Sequence, residues 1–321
     1  MDNLNEIMQV KQTVEQEIMS RAGVVGVDVG YKYVGGKRTE EVAIRVHVAE
    51  KRDVAGDERI PEMVEGCKTD VLENRFELYG YCTPGMEKVI LGDMTVSHPV
   101  MGGRSIGPCR RVNGCLFAGT LGAVVFDVVS GAPMLLSNFH IMCVDQSWQV
   151  GDTLAQPGLP DSGDCAMDVI GAVQRAALGG QVDCAVSTLV GREYSSEIVD
   201  IGAIVDMGEA TLGMHVRKRG RSTALTYGIV ESVGMTLTID YGGEIGPLTL
   251  TGQIGIQVDT ERSSQLGEAG DSGSLFINGS QQVVGLFFAG NGERTFGAAN
   301  PIAAVIEAMK ISLNPIKDGQ L

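Results

Sequence analysis

Basic residues are scarce in this chain, and their shortage excludes one class of partner. Lysine and arginine together number 25, against 40 aspartates and glutamates, which gives a formal net charge of −15. A surface that binds the phosphates of a nucleic acid normally carries a basic face. We therefore expect no nucleic-acid partner, and the acidic balance mainly favours solubility.

Long apolar runs are also absent, although 44% of the residues are hydrophobic. No run approaches the roughly 20 residues that a membrane-spanning helix needs. Residues 1–6 lack the basic and apolar regions of a secretory signal. The sequence therefore predicts a cytoplasmic protein without a membrane partner.

The chain contains no Cys-x-x-Cys pair, which removes the commonest signature of a zinc site or a redox dithiol. An odd number of scattered cysteines in a cytoplasmic chain favours reduced thiols. No other motif requires a metal, a nucleotide or an organic cofactor, so we expect none. The seven cysteines stand at positions 67, 82, 109, 115, 143, 165 and 184.

The first part of the chain has the pattern of a small α/β unit. Residues 4–19 place apolar side chains at helical spacing. Residues 24–34 and 41–48 read as two strands joined by a glycine turn, and residues 69–73 as a third strand. His47 alternates with apolar neighbours in its strand, which favours a structural role over a catalytic one.

The remainder of the chain is rich in short β-like runs and has scarcely any helical period. After an irregular, glycine-rich lead-in, these runs continue from residue 119 to residue 289, separated by Gly, Asn and Asp. Only residues 302–309 again resemble a helix. Closely spaced short strands with turn signals predict a barrel or sandwich, so the fold class is mainly β.

The glycine-flanked loop at residues 267–274 is the first candidate for chemistry. In this loop Ser272 directly follows an aspartate and is flanked by glycines. Glycine allows the unusual backbone angles that place a nucleophilic hydroxyl beside converging backbone N–H groups. Serine needs a base at neutral pH, and that base needs an orienting group.

Four histidines are available, and His140 has the most suggestive context. It follows an apolar strand and precedes a polar loop, where a rigid scaffold can hold a catalytic side chain. Asp183 opens another apolar run and is the favoured orienting carboxylate. Asp164 and Asp168 stay open as rivals.

These three contexts together resemble those of trypsin-like, chymotrypsin-fold serine proteases. His140 in Leu-Ser-Asn-Phe-His, Asp183 in Asp-Cys-Ala-Val and Ser272 in Gly-Asp-Ser-Gly-Ser occur in that family's order. Residues 218–230 are similar to the stretch that opens the second barrel in bacterial members. The complete chain resembles an intracellular bacterial group related to the plant Narrow Leaf 1 proteins.

The resemblance implies a fold and a domain organisation: a chymotrypsin-like double β-barrel preceded by the small α/β domain. The implied boundaries are an accessory domain at 1–88, a lead-in at 89–114, a protease domain at 115–312 and a tail at 313–321. Within the protease domain they are a first barrel at about 115–205, a second at about 212–300 and a helix at about 301–310.

The resemblance also implies roles for individual residues. Ser272 would attack a carbonyl, His140 would serve as general base and then general acid, and Asp183 would orient His140. The backbone N–H groups of Gly270 and Ser272 would form the oxyanion hole.

Further roles follow from the same resemblance. Asp271 would shape the loop through an ion pair with Lys218 or Arg221. Residues Phe288, Ala289 and Gly290 would pair with a substrate backbone. Leu266 would line the specificity pocket and favour a small or apolar side chain.

The leading hypothesis is therefore a cytoplasmic serine endopeptidase that acts on proteins or peptides. Two alternatives remain: a catalytically silent protease-fold scaffold, and an esterase or acyltransferase that uses the same three residues.

We also predict a homo-oligomer, because intracellular proteases need restraint and assembly is one general way to hide a site. The expected result is a multiple of the chain mass in sedimentation or light-scattering measurements at micromolar concentration. A monomeric mass would contradict this prediction.

Overall fold

The structure is a computed structural model that describes residues 2–54, 56–84 and 94–316. Within these ranges the chain forms three α-helices and 24 strands, so the fold is mainly β, as expected. Parts of the expected lead-in and tail, residues 89–93 and 317–321, lie outside the described residues. The helices are α1 (Asp2–Met19), α2 (Phe139–Met142) and α3 (Ile302–Met309).

The amino-terminal unit follows the pattern of its sequence. It contains β1 (Val24–Val34), β2 (Lys37–Val48), β3 (Met63–Val64) and β4 (Cys67–Glu73). β1 and β2 form the expected hairpin, and β4 pairs with β2 in parallel. Helix α1 covers the sheet with one apolar face, which buries Ile7, Val14 and Ile18 against the strands.

A charged network lies buried in this unit. Asp28 accepts hydrogen bonds from Arg45 Nε at 2.7 Å and Nη2 at 2.8 Å, and its Oδ2 lies 2.9 Å from His47 Nε2. Burial alone would raise the pKa of Asp28, but Arg45 and His47 more than offset it and lower that pKa. His47 thus has the structural role that its strand context predicts.

Six strands close into a barrel near the carboxyl end of the chain. Their spatial order is β18, β21, β22, β23, β20 and β19, and β19 pairs again with β18. Each of the six strands of this second barrel therefore pairs with a neighbour on both sides, and the ring of strands has no free edge. The strands are β18 (His215–Gly220), β19 (Ala224–Asp240), β20 (Pro247–Val258), β21 (Leu275–Asn278), β22 (Gln282–Asn291) and β23 (Phe296–Pro301).

A first barrel closes through a bent strand. β9 and β10 are separated only by Gly122; β9 pairs with β8 at one end of the sheet and β10 pairs with β11 at the other. The lead-in expected before residue 115 thus contributes a barrel strand. The strands are β8 (Arg104–Pro108), β9 (Leu116–Leu121), β10 (Ala123–Asp127), β11 (Pro133–Ser137), β12 (Thr153–Ala155), β13 (Val169–Gly179) and β14 (Val182–Thr188).

The amino-terminal sheet continues into the second barrel. β1 pairs antiparallel with β19, with Gly26 opposite Leu237 and Gly30 opposite Ser232. One sheet of 12 strands therefore contains both units.

The remaining strands are short and extend these sheets or form a small one. β5 (Phe76–Leu78) and β17 (Asp206–Met207) pair with β22, and β6 (Tyr81–Thr83) pairs with β9. β24 (Ile311–Ser312) pairs with β10. A separate sheet contains β7 (Val100–Gly102), β15 (Tyr194–Ile198) and β16 (Gly202–Ala203).

The prediction that all cysteines are reduced is wrong for two of them. Cys109 and Cys165 form a disulfide, with their Cα atoms 5.7 Å apart. They are 56 residues apart in sequence. Cys109 directly follows β8, β8 pairs with β12, and Cys165 lies in the loop that follows β12, so the pairing of the two strands brings the cysteines together. Neither position shows a local motif. A disulfide is typical of an oxidising compartment.

No helix in the described ranges is long and apolar enough to cross a membrane. No group of three or more His, Cys, Asp or Glu side chains in those same ranges could hold a metal ion.

Replacing Asp28 with Asn should lower the free energy of unfolding by about 3 kcal/mol, because it removes the carboxylate that accepts two hydrogen bonds from the buried Arg45 guanidinium and leaves only Glu231, at 3.7 Å, beside it. The lowered pKa of Asp28 also makes this contribution pH-dependent. It is fully present above the ordinary aspartate pKa of 3.8 and is lost as the pH falls toward the lowered value. Urea denaturation across acidic pH measures both effects.

The matched control is Glu40→Gln, which removes a largely exposed partner of Arg38. Exposed pairs contribute little, so this variant should change stability by less than about 0.5 kcal/mol. Equal effects of the two substitutions would contradict the importance of the buried network.

Candidate active site

His140 and Asp183 meet because their strands are neighbours. β11 pairs with β14, with Ser137 opposite Ala185, so the chain leaving β11 passes beside the start of β14. His140 Nδ1 lies 2.5 Å from Asp183 Oδ2, and the His140 backbone N–H donates to Asp183 Oδ1 at 3.2 Å. Asn138 Nδ2 also donates to the Asp183 carbonyl oxygen. Both side chains are almost fully buried.

The two rival carboxylates lie elsewhere. Asp168 Oδ1 lies 3.3 Å from Arg192, and its Oδ2 accepts the backbone N–H of Asp164. Among the three candidates, only Asp183 has a described contact with His140.

Tyr241 completes the surroundings of Asp183 and was missed in the sequence. Its hydroxyl donates to Asp183 Oδ2 at 2.9 Å, from the turn between β19 and β20. Burial, together with the negative charge of Asp183, raises the pKa of Tyr241 well above its ordinary value. The hydroxyl therefore stays protonated and can donate. No local pattern marks Tyr241, which lies 58 residues after Asp183.

Ser272 lies in a loop held between the two barrels. Its backbone carbonyl accepts a hydrogen bond from Thr120 N at 2.8 Å, which joins β9 of the first barrel to the loop before β21 of the second. Gly273 follows with φ +96°, and a Cβ there would stand 2.1 Å from the Thr120 carbonyl oxygen. Only glycine fits this close approach in this backbone conformation.

The Ser272 hydroxyl is turned toward β22. It donates to the Phe288 carbonyl oxygen at 2.8 Å. Across the described part of the chain, His140 Nε2 has no hydrogen-bond partner. The structure thus joins His140 to Asp183 but does not join Ser272 to His140 by a hydrogen bond.

The backbone N–H groups of Gly270 and Ser272 converge on one acceptor. Both donate to the carbonyl oxygen of Tyr79, at 2.5 Å and 3.4 Å respectively. The two groups that the resemblance assigns to an oxyanion hole therefore point at one oxygen atom.

Asp271 ion-pairs with Lys218, the first of its two expected partners. Lys218 Nζ lies 3.0 Å from Asp271 Oδ2, and neither side chain is exposed. Backbone N–H groups of Ser222 and Thr223 donate to Asp271 Oδ1. Burial would raise the pKa of Asp271, but Lys218 and these hydrogen bonds lower it. Arg221, the other expected partner, binds Asp161, with Nε 2.6 Å from Oδ2.

The expected substrate-binding positions lie in two neighbouring parts of the second barrel, with Leu266 in one buried apolar cluster and Phe288 and Ala289 in another. Leu266 is buried in an apolar cluster with Phe287 and Tyr79. β5 pairs antiparallel with β22, with Leu78 opposite Ala289 and Glu77 opposite Gly290. Thus the edge of β22 proposed for a substrate backbone is occupied by this chain's own strand.

Comparison with solved structures shows a likeness to serine proteases of bacteria. The chain is similar to Cellulomonas bogoriensis chymotrypsin at 18% identity, with a TM-score of 0.48, covering 68% of this chain and 100% of that one. It is similar to Thermobifida fusca protease A at 17% identity and a TM-score of 0.48, covering 67% and 97%. It is also similar to a Nocardiopsis protease at 16% identity, with a TM-score of 0.48, covering 67% of this chain and 98% of that one.

No protein-family model matches the chain, and no curated protein matches it in sequence. The chemistry of the site rests on the geometry of this chain.

Replacing Asp271 with Asn should lower the free energy of unfolding by about 3 kcal/mol, because Lys218 would stay buried without its carboxylate. The double variant Asp271→Asn with Lys218→Met should recover part of that loss, since it leaves no unpaired charge. Urea denaturation followed by Trp148 fluorescence measures both.

Glu268→Gln is the matched control, because Glu268 pairs with Arg294 in a bridge that is partly exposed to solvent. Its effect should stay below about 1 kcal/mol. An Asp271→Asn variant as stable as this control would contradict the ion pair's role in holding the loop.

Proposed function

We propose that this protein is a serine endopeptidase that cleaves peptide bonds through an acyl-enzyme. One observation carries the proposal. Two backbone N–H groups converge on a carbonyl oxygen beside Ser272, while His140 stands within hydrogen-bond distance of the buried Asp183. This is the arrangement that acyl transfer requires: a nucleophile, an oriented base and donors for a developing oxyanion.

Each residue then has a role in the reaction. Ser272 Oγ rotates from the Phe288 carbonyl to His140 Nε2, loses its proton to that nitrogen and attacks the substrate carbonyl carbon. The developing oxyanion is stabilised by the N–H groups of Gly270 and Ser272, each such donor being typically worth about 3 to 4 kcal/mol of barrier. His140 next gives its proton to the leaving amine.

Asp183 and Tyr241 act on the base. A carboxylate at His140 Nδ1 holds the proton on that nitrogen and stabilises the imidazolium. Tyr241 donates to the same oxygen of Asp183 and so limits rotation of the carboxylate. Water later hydrolyses the acyl-enzyme with His140 again as the base.

A second candidate function is a catalytically silent scaffold with a protease fold. The hydrogen bond from Ser272 Oγ to the Phe288 carbonyl favours it, because the hydroxyl is then turned away from its base. Turnover that depends on Ser272 separates the two functions.

The finer expectations stay proposals. The grouping with the bacterial relatives of Narrow Leaf 1 is supported by the resemblance of the whole chain, including residues 24–32 and 38–48. The homo-oligomer is supported by the general need to restrain an intracellular protease. The disulfide between Cys109 and Cys165 weighs against the expected cytoplasmic location.

Replacing Ser272 with Ala should abolish covalent labelling by a fluorophosphonate probe, because the nucleophilic oxygen is lost. It should lower the free energy of unfolding by only about 1 kcal/mol, because one buried hydrogen bond, to the Phe288 carbonyl, is lost with it. Asp183→Asn should slow labelling by about 10⁴-fold, since it disturbs the tautomer of His140. Mass spectrometry of the intact chain measures the adduct.

Ser280→Ala is the matched control. Ser280 is exposed on the turn after β21, so its loss should leave labelling unchanged. A wild-type chain with neither labelling nor proteolysis dependent on Ser272, under any condition, would contradict the proposed function.

A further inference from the structure

The chain's own residues 76–79 bind to β22 as an added strand. Beyond the pairing of β5 with Ala289 and Gly290, the Tyr79 N–H donates to the Phe288 carbonyl oxygen at 3.2 Å. Addition of an extended peptide to a sheet edge is a general mode of peptide recognition. The segment therefore occupies the edge where a substrate backbone would bind.

The carbonyl of Tyr79 lies where a reacting carbonyl would lie. Its oxygen accepts from Gly270 N and Ser272 N, the two donors of the proposed oxyanion hole. The next residue is beside the base: a Cβ added to Gly80 would stand 3.1 Å from His140 Cδ2. The Tyr79–Gly80 bond is thus set between the nucleophile and the base.

The side chain of Tyr79 lies in the apolar cluster that contains Leu266, where the proposed substrate pocket would be. It is 3% exposed and meets Phe287 edge-to-face, with 5.6 Å between ring centroids. Its hydroxyl donates to the Asn291 carbonyl oxygen at 2.5 Å. A Cβ on Gly290 would stand 2.4 Å from the tyrosine ring, so the pocket takes an aromatic ring because residue 290 has no side chain.

The chain is held on the other side of the bond as well. β6 pairs antiparallel with β9, with Tyr81 opposite Ala118 and Cys82 opposite Phe117. Residues before Tyr79 pair with β22 of the second barrel, and residues after Gly80 pair with β9 of the first. The Tyr79–Gly80 bond therefore lies in extended chain that crosses the cleft between the barrels.

We propose that Tyr79–Gly80 is a self-cleavage site, cut by Ser272 of the same molecule, and that the uncut segment 76–83 blocks the cleft to other substrates. The proposal rests on the proposed function. It also names the substrate class: peptides with an aromatic residue, tyrosine above all, on the acyl side of the cleaved bond.

The reaction balances with water alone. Ser272 Oγ bonds to the Tyr79 carbonyl carbon and its proton passes to His140 Nε2. The C–N bond breaks, and the Gly80 nitrogen takes that proton. Water then adds to the ester carbon and releases Ser272, which leaves a carboxylate at Tyr79 and a free amine at Gly80.

The test incubates the purified full-length wild-type chain and the Ser272→Ala variant, and follows both by intact mass and amino-terminal sequencing. We expect wild type to yield fragments 1–79 and 80–321, the second beginning at Gly80, while the variant stays whole. Tagged Ser272→Ala mixed with wild type should also stay whole, because the cut is intramolecular.

Two substitutions at residue 79 test the pocket. Tyr79→Phe keeps the ring and should still be cut, at a rate within about tenfold of wild type, since it loses one hydrogen bond. Tyr79→Asp should not be cut. It should instead react with the fluorophosphonate probe about tenfold faster or more than Ser272 of the intact wild-type chain, since a carboxylate is disfavoured in the apolar pocket and frees the cleft.

The outcomes separate this proposal from the proposed function. A wild-type chain that labels at Ser272 or digests casein but stays whole overturns self-cleavage alone. So does a cut at another bond, a cut that persists in Ser272→Ala, or cutting of the tagged variant in the mixture. If neither wild type nor a folded Tyr79→Asp chain reacts with the probe, both proposals fall.

Discussion

The hydrogen bond from Thr120 N to the Ser272 carbonyl is the constraint on which the candidate site depends, because it joins the two barrels at Ser272. The Thr120 hydroxyl donates to the Gly270 carbonyl at 2.8 Å and accepts the Arg221 N–H at 2.9 Å. One threonine of the first barrel therefore positions Gly270 and Ser272, the two residues that flank Asp271 in the loop. His140 is carried by the first barrel, so the distance between His140 and Ser272 depends on this junction.

Buried charge gives that loop its shape. Asp271 directly precedes Ser272 and accepts hydrogen bonds from Lys218, Ser222 and Thr223. A rearrangement of the loop would expose a charged side chain to solvent or leave it buried without its partner. The same logic operates in the amino-terminal unit, where Asp28 and Arg45 pair out of contact with water. In both places the charged pair fixes a geometry that apolar packing alone would leave less specific.

Much of this arrangement could be predicted from the sequence, because strand ends are local features. His140 after an apolar run, Asp183 at the start of another and Ser272 between glycines are visible without a structure, and α1, α3 and β4 follow from periodicity. Tyr241 and Tyr79 could not be found in this way. Tyr241 reaches the site at the tip of the long hairpin formed by β19 and β20, and Tyr79 lies 193 residues before Ser272. Neither tyrosine has a neighbour in sequence that marks its role. Leu266 is buried in one apolar cluster with Tyr79, and the close packing of the Tyr79 ring depends on the absence of a side chain at Gly290.

The ladder between β1 and β19 gives the amino-terminal unit a second attachment to the second barrel. Backbone pairing from Gly26 to Gly30, with a hydrogen bond from Lys11 Nζ to Thr236 Oγ1 at 2.9 Å, holds the unit independently of the covalent path through residues 76–83. Scission of that path would therefore convert one polypeptide into a heterodimer whose two pieces share a continuous sheet. The two pieces would then be held together only by non-covalent contacts, so their association would depend on concentration. Dilution, or another strand that competes for the same sheet edge, could then separate them.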